Sequence, residues 1–295
     1  MTMTADHQAQ GIAGVTTNDN LPEKTTSRDV PTTTEPSGGL VARGLAAIRS
    51  TKSLQAIAKT DPEEFLADAR FFYNRGVAYA REHQDDANED YHQAMRNQYD
   101  RAIEDYDQAI RLDPNYAEAF YARGYAYASK RQDDRAIEDY SQALRIDPNN
   151  KNSYWHRGQL YNEKGLHDRA IEDFDQLIRV IQIDDADRPA AFVLRGLAYS
   201  NAGQFDRAID DYGQAIQLRP DTSAIFFIRG REYAAAGQHV RAIQDFDQAI
   251  RLNPGSARVF YDRGIALRAV GQQARAAADF AKARQLDPSL PPPPE

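Results

Sequence analysis

Cysteine is absent from the 295-residue chain, which excludes disulfide frameworks, thiolate zinc sites, iron–sulfur clusters and cysteine nucleophiles together. Basic charge is in deficit: 36 Lys and Arg face 44 Asp and Glu, a net charge of −8. That balance is wrong for a nucleic-acid binder, which needs cations to neutralise phosphates, and wrong for an anionic membrane surface. No run approaches the ~18 consecutive apolar residues that a membrane-spanning helix requires. Met1 to Asn20 hold neither a basic cluster nor an apolar stretch, so no secretory signal is expected and a cytoplasmic location is the simplest expectation. No glycine-rich phosphate loop, serine-centred nucleophile turn or paired-carboxylate constellation occurs. The six histidines (His7, His83, His92, His156, His167, His239) share no metal-ligand spacing. His83 and His92, among Asp85, Asp86, Glu89 and Asp90, read as a solvated acidic helix tip rather than a metal cluster. The expectation is a chain with no catalytic residues, no metal and no cofactor, and not an enzyme.

What the chain does contain is enough apolar material for a core, at 41% hydrophobic and 10% aromatic residues. Residues 1–39 are the exception. This Thr/Ser-rich stretch carries only scattered Ile12, Val15, Leu21 and Val30, too few to offset the entropy of ordering, and is expected to be disordered. Residues 40–60 are amphipathic through Leu45, Ile48, Leu54 and Ile57 and are expected to form an N-terminal capping helix. The last residues, 291–295, are a proline-rich tail that cannot be helical. Between them, apolar residues recur at three and four rather than two, so helices are expected and strands are not.

A longer period overlies the helical one. Gly124, Gly158, Gly196, Gly230 and Gly264 lie 34, 38, 34 and 34 residues apart, each preceded by Arg and followed twelve places later by Ala136, Ala170, Ala208, Ala242 or Ala276. Four places further comes a ring, at Tyr140, Phe174, Tyr212, Phe246 and Phe280, and most copies close on a proline. Glycine inside a helix costs roughly 1 kcal/mol relative to alanine, so its recurrence implies close approach of another backbone, with the small residues Ala136 and Ala143 on the facing side. Two helices joined by a turn form a hairpin, and the Asp-Pro or Asn-Pro dipeptide ends the second helix. One hairpin cannot bury its own apolar faces, so neighbours must stack.

The run Phe120, Arg123, Gly124, Tyr127, followed by Ala136, Tyr140, Ala143 and Pro148, resembles the tetratricopeptide repeat. The resemblance implies an all-α, right-handed superhelical solenoid of stacked antiparallel helix hairpins. It covers six copies over 69–290: 69–116 with a 14-residue insert, 117–150, 151–188 with a 4-residue insert, 189–222, 223–256 and 257–290. One departure is uniform, since the family's usual leucine before the glycine is Arg in every copy. The insert in the first copy follows from 26 places between Gly76 and Ala102 where other copies have 12, and implies an elongated hairpin or a docking handle. The third copy lacks its proline, which predicts a longer second helix there.

Sixteen places after each Arg stands an Asp, once the first copy's insert is allowed for. The pairs are Arg75 with Asp105, Arg123 with Asp139, Arg157 with Asp173, Arg195 with Asp211, Arg229 with Asp245 and Arg263 with Asp279. They are expected to form a structural ladder that holds each hairpin. The resemblance further implies a concave wall lined by first-helix residues around the glycine. Three places before it stand Tyr73, Tyr121, Trp155, Val193, Phe227 and Tyr261. Just after it stand Val77, Tyr125, Gln159, Leu197, Arg231 and Ile265. The Lys and Asn of the family's carboxylate clamp are missing at these places, so the expected ligand is not an acidic chaperone tail but an apolar or aromatic peptide or helix. The function this implies is a protein–protein interaction scaffold or adaptor with a protein or peptide partner, no nucleic acid and no membrane. Self-association through the uncapped C-terminal repeat is a further expectation. The alternative is a secreted bacterial effector whose disordered N-terminus is an export signal.

Overall fold

The computed structural model describes residues 69–77, 89–182 and 185–293, and every regular element among them is an α-helix. The expected tail over 1–39, the capping helix over 40–60 and residues 78–88 of the insert lie outside the described residues. In chain order the helices are α1 over 69–77, α2 Glu89–Leu112, α3 Ala117–Ser129, α4 Asp133–Ile146, α5 Lys151–Glu163, α6 His167–Val180, α7 Arg188–Asn201, α8 Phe205–Leu218, α9 Ser223–Ala235, α10 His239–Leu252, α11 Ala257–Ala269 and α12 Gln273–Leu286. The chain divides into two compact units, one ending at Ala119 and the other beginning at Phe120.

In the first unit the second helix of the hairpin, α2, runs unbroken for 24 residues where α4, α6, α8, α10 and α12 each have 14. The near-copy inside the insert, from Glu89 onward, is therefore part of this one long helix. Tyr106 of α2 fills the space beside Gly76, and Tyr73 lies against Tyr106 and Tyr116 with ring centroids 6.0 and 5.1 Å apart.

The second unit is a solenoid. Consecutive helices pack as hairpins (α5 on α6, α7 on α8, α9 on α10, α11 on α12), each hairpin stacks on the next (α4 on α5, α6 on α7, α8 on α9, α10 on α11), and first helices touch across neighbours (α5 on α7, α9 on α11). The hairpin interior is alanine against ring. Ala136, Ala170, Ala208 and Ala242 are fully buried, and so are Tyr140, Phe174, Tyr212 and Phe246. Each ring presses on the glycine of its own first helix. A Cβ on Gly230 would sit 2.8 Å from Phe246 Cε1 and 3.3 Å from Asp245 Cβ, a space that no larger residue shares without displacing the ring.

The turn inside each hairpin follows from helix-end geometry. At Gly203 the backbone takes φ 74°, its N–H donates to Ser200 O, and the N–H of Gln204 reaches back to Tyr199 O at 2.8 Å. This is the left-handed C-terminal cap that satisfies otherwise orphaned carbonyls. In the second copy Arg131 adopts the same positive φ of 59° without being glycine.

The third copy departs from expectation. Its second helix, α6, is no longer than the others and stops at Val180 without a proline. Two side chains make the stop. Ile181 turns extended and buries itself against Phe174, Leu177 and Ala191. Arg188 then donates through Nη1 to the carbonyls of Ile178 (3.2 Å) and Ile181 (2.9 Å), occupying acceptors that a continuing helix would have used. The extra residues go into the connection, where Lys151 Nζ donates to Asp185 and Asp187 at 2.9 and 3.0 Å.

Replacing Gly230 by alanine gains roughly 1 kcal/mol of helix propensity but overpacks the Phe246 contact, which costs about 1–3 kcal/mol. We expect Gly230→Ala to lower the thermal midpoint followed by far-ultraviolet circular dichroism. A raised midpoint would show that the ring yields and the close approach is dispensable.

Candidate functional site

The first-helix residues singled out from the sequence fall on α1 (Tyr73, Val77), α3 (Tyr121, Tyr125), α5 (Trp155, Gln159), α7 (Val193, Leu197), α9 (Phe227, Arg231) and α11 (Tyr261, Ile265). Tyr73 and Val77 belong to the first unit and the rest to the second. Their exposure is uneven. Val193 and Tyr261 are buried at 5% and 7%, Ile265 is exposed, and the others are half-buried. The rings before the glycines lie over the second-helix ring of their own hairpin: Tyr121 on Tyr140 at 5.9 Å, Phe227 on Phe246 at 6.1 Å, Tyr261 on Phe280 at 5.6 Å. Trp155 packs on the Ala170–Phe174–Leu177 cluster. These side chains thus roof the hairpin core with one face while the other stays accessible, except at Val193 and Tyr261.

Residues outside that pattern join them. His156 stacks on Tyr140 (6.0 Å) and meets Tyr121 and Tyr125 at 5.9 and 5.5 Å, a four-ring cluster across the second and third copies. Between α7, α9 and α11 the layer turns polar. Ser200 Oγ donates to Glu232 Oε1 at 2.8 Å, both buried, and Asp262 receives Arg258 at 3.1 Å with Arg231 at 3.9 Å. Burial pushes the Glu232 carboxyl above the usual carboxylate range, against the pull of the Ser200 hydroxyl and Arg231. Burial likewise raises Asp262, opposed by Arg258 and Arg231. A signal for Glu232 exists in the sequence. Two places after the glycine the neighbouring copies carry Ala126, Leu160, Ala198 and Ala266, and only the fifth carries a charge there.

The Arg and Asp residues spaced sixteen apart meet as two-pronged ion pairs. Nε and Nη2 of Arg123 donate to Asp139 at 2.8 and 2.6 Å, Arg157 to Asp173 at 2.8 and 2.6 Å, and Arg195 to Asp211 at 2.8 and 2.7 Å. Arg229 binds Asp245 at 2.8 and 2.8 Å, and Arg263 binds Asp279 at 2.7 and 2.7 Å. Arg75 grips Asp105 in the same way at 2.7 Å on both prongs. All six aspartates are buried. The third nitrogen crosses to the preceding copy: Arg157 Nη1 to Ser141 Oγ (2.9 Å), Arg195 Nη1 to Asp175 (2.7 Å) and Arg263 Nη1 to Asp247 (2.6 Å). At Arg229 the corresponding place is Gly213, which offers no side chain. The Asp211 hydrogen bonds raise the pKa of Arg195 against the cost of burial, so its guanidinium is held charged.

Among the described residues no helix is long and apolar enough to cross a membrane, and no group of His, Asp and Glu is placed to hold a metal ion. Models of the tetratricopeptide repeat match residues 91–131, 117–150, 134–188, 193–257 and 229–291. The chain belongs to the tetratricopeptide-repeat family. A comparison with functionally curated proteins finds no match. Among solved structures, YrrB, described as a TPR protein with an unusual peptide-binding site, is 21% identical, covers 63% of this chain and 94% of its own, and superposes with a TM-score of 0.55. MamA is 26% identical over 60% of this chain and 98% of its own, TM-score 0.54. Pseudomonas aeruginosa PilF is 16% identical over 78% and 95%, TM-score 0.56. These likenesses are likenesses of fold.

Two outcomes follow from the electrostatics. Asp211→Ala leaves Arg195 half-buried with both prongs unsatisfied and is expected to cost about 2–4 kcal/mol, between exposed and fully buried pairs. Asp175→Ala removes only the half-exposed crossing partner and is expected to cost under about 1 kcal/mol; urea melts of the two variants compare them directly. Glu232 carries a folded-state pKa above its unfolded one, so the folded chain holds that proton more tightly and loses stability as pH climbs through the folded value. Glu232→Gln keeps an acceptor for Ser200 and removes the buried charge. Its thermal midpoint should exceed that of the parent at pH 7, with the gap closing as the pH is lowered. A lower midpoint at pH 7 would mean that Arg231 outweighs burial.

Proposed function

We propose that the chain is a protein-interaction scaffold whose first-helix layer receives an apolar or aromatic peptide or helix. The observation that carries this reading is that Tyr121, Trp155 and Phe227 stay half-exposed on the first helices α3, α5 and α9 while anchored beneath by the hairpin core. Rings held rigid on one side lose little entropy on binding, which is why such residues concentrate affinity at interfaces. Leu197 and Tyr125 extend the same apolar character, and Gln159 and Arg231 give it polar edges. The family supplies the scaffold, and YrrB, similar in fold, is described as peptide-binding. Affinity drawn from apolar contact should depend only modestly on salt.

The test is selection from a displayed random-peptide library against the full chain, followed by fluorescence anisotropy with the selected peptides. Aromatic or aliphatic peptides are expected. The Tyr121→Ala, Trp155→Ala, Phe227→Ala triple variant should bind them at least about tenfold more weakly, equivalent to ~1.4 kcal/mol, while keeping its helical circular dichroism. Should that variant unfold, Leu197→Lys with Gln159→Glu alters the same surface without touching the anchored rings. Undiminished binding by both folded variants would sink the proposal.

A further inference from the structure

In every earlier junction of the second unit the face of one hairpin is covered by the first helix of the next. After α12 the residues continue differently. The Asp-Pro turn is the same as elsewhere: Asp287 Oδ1 accepts the N–H of Ser289 at 2.9 Å, as Asp147 accepts from Asn149 at 2.9 Å and Asn253 from Gly255 at 3.1 Å. Counting from that turn, Leu290 stands where Asn150 and Ser256 precede α5 and α11. Pro291 then falls at the first helical place, which proline tolerates, but Pro292 and Pro293 push the residues before them out of the helical region and forbid a helix. The chain therefore reaches the face in the register of a seventh first helix and crosses it as an extended proline segment.

That segment is seated. Leu290 packs against the cluster of Phe260, Tyr261 and Ala283, and the Tyr261 hydroxyl donates to the carbonyl of Pro292 at 3.2 Å. Pro293 borders an open recess lined by Ala277, Phe280, Ala281 and Arg284. An aromatic hydroxyl donating to a prolyl carbonyl beside an apolar ring is how extended proline-rich segments are recognised, because the stiff chain leaves its carbonyls free and pays little entropy on docking. The last hairpin also offers no side-chain acceptor for the arginine of a further copy. Two places after the ladder aspartate, where Ser141, Asp175 and Asp247 accept the next copy's arginine, the last hairpin has Ala281.

We infer that the outer face of the last hairpin, between Tyr261 and Phe280, is a binding site for a Leu-Pro-Pro-type extended segment, and that residues 290–293 of the same chain occupy it in cis. The inference is independent of what binds along the rest of the first-helix layer, since it rests on Tyr261, which is buried beneath the segment and contributes no open wall.

The test uses a fluorescent peptide of sequence DPSLPPPPE, that of residues 287–295. Added in trans, it should bind the full chain carrying Leu290→Asn, whose own segment has lost its anchor, at least about tenfold more tightly than it binds the parent, in which the site is filled. Adding Tyr261→Phe to the Leu290→Asn chain should weaken that binding. Equal binding to parent and Leu290→Asn chains, or none to either, overturns the inference. A second readout avoids any dependence on that variant's folding. Because the chain has no cysteine, Ala283→Cys, buried in the cluster that Leu290 packs against, introduces the sole thiol. Its reaction with a maleimide should be about tenfold slower than that of Ala278→Cys, an exposed position on α12. Equal rates would show that the segment does not dock. A concentration-dependent rise in mass for the parent would show instead that the face is filled by a second copy and overturn occupation in cis.

Discussion

The array depends on one repeated interaction, the guanidinium before each glycine clasped by an aspartate sixteen residues on. Its place explains why Arg stands there rather than the leucine the family prefers. The glycine lets the two helices approach until the ring of the second touches the backbone of the first, and at that separation a fork can bridge them with both prongs near 2.7 Å. A leucine there would bury more apolar area but leave the aspartate, which is nearly inaccessible, without a partner. The guanidinium also lies beside the rings four before and three after the glycine, as Arg195 does with Phe192 and Tyr199 at 5.6 and 5.8 Å. Planar charge, rings and carboxylate form one unit in which none is easily exchanged for a neutral residue.

What repeats is legible in a sequence, and what happens once is not. The period, the glycine, the ring and the sixteen-place offset all recur, so each copy corroborates the others. The end of α6 at Val180 occurs once. It depends on Ile181 finding room against Phe174 and on Arg188 folding back over two carbonyls, and no local rule for proline or glycine announces either. The wall residues are an intermediate case. Their positions follow from the register, but their exposure depends on what covers them: Tyr261 is buried under Pro292 and Leu290 while Phe227, at the same place one copy earlier, is half-open. The same register that aligns the copies hides Glu232, because a residue that differs from its equivalents reads as scatter until its neighbours are known.

That single departure compensates for another. Three of the four junctions from the second copy onward carry a side-chain tie on the ladder side: Arg157 to Ser141, Arg195 to Asp175, Arg263 to Asp247. The junction between the fourth and fifth copies cannot, since Gly213 occupies the acceptor's place. There the tie moves to the other layer, where Ser200 of α7 donates to Glu232 of α9. A hydrogen bond to a buried charge contributes about 1.5–3 kcal/mol, but the carboxylate's own desolvation offsets part of it, which is why its pKa rises. The crossing arginines rest on acceptors that are partly wet, such as Asp175 and Asp247, and lose less to desolvation. The fourth–fifth junction is therefore tied by a group whose charge is costly to keep, beside Arg231 on the layer we assign to partner binding. A partner that brings a cation near Glu232, or a proton in its place, would strengthen this junction and leave the others unchanged.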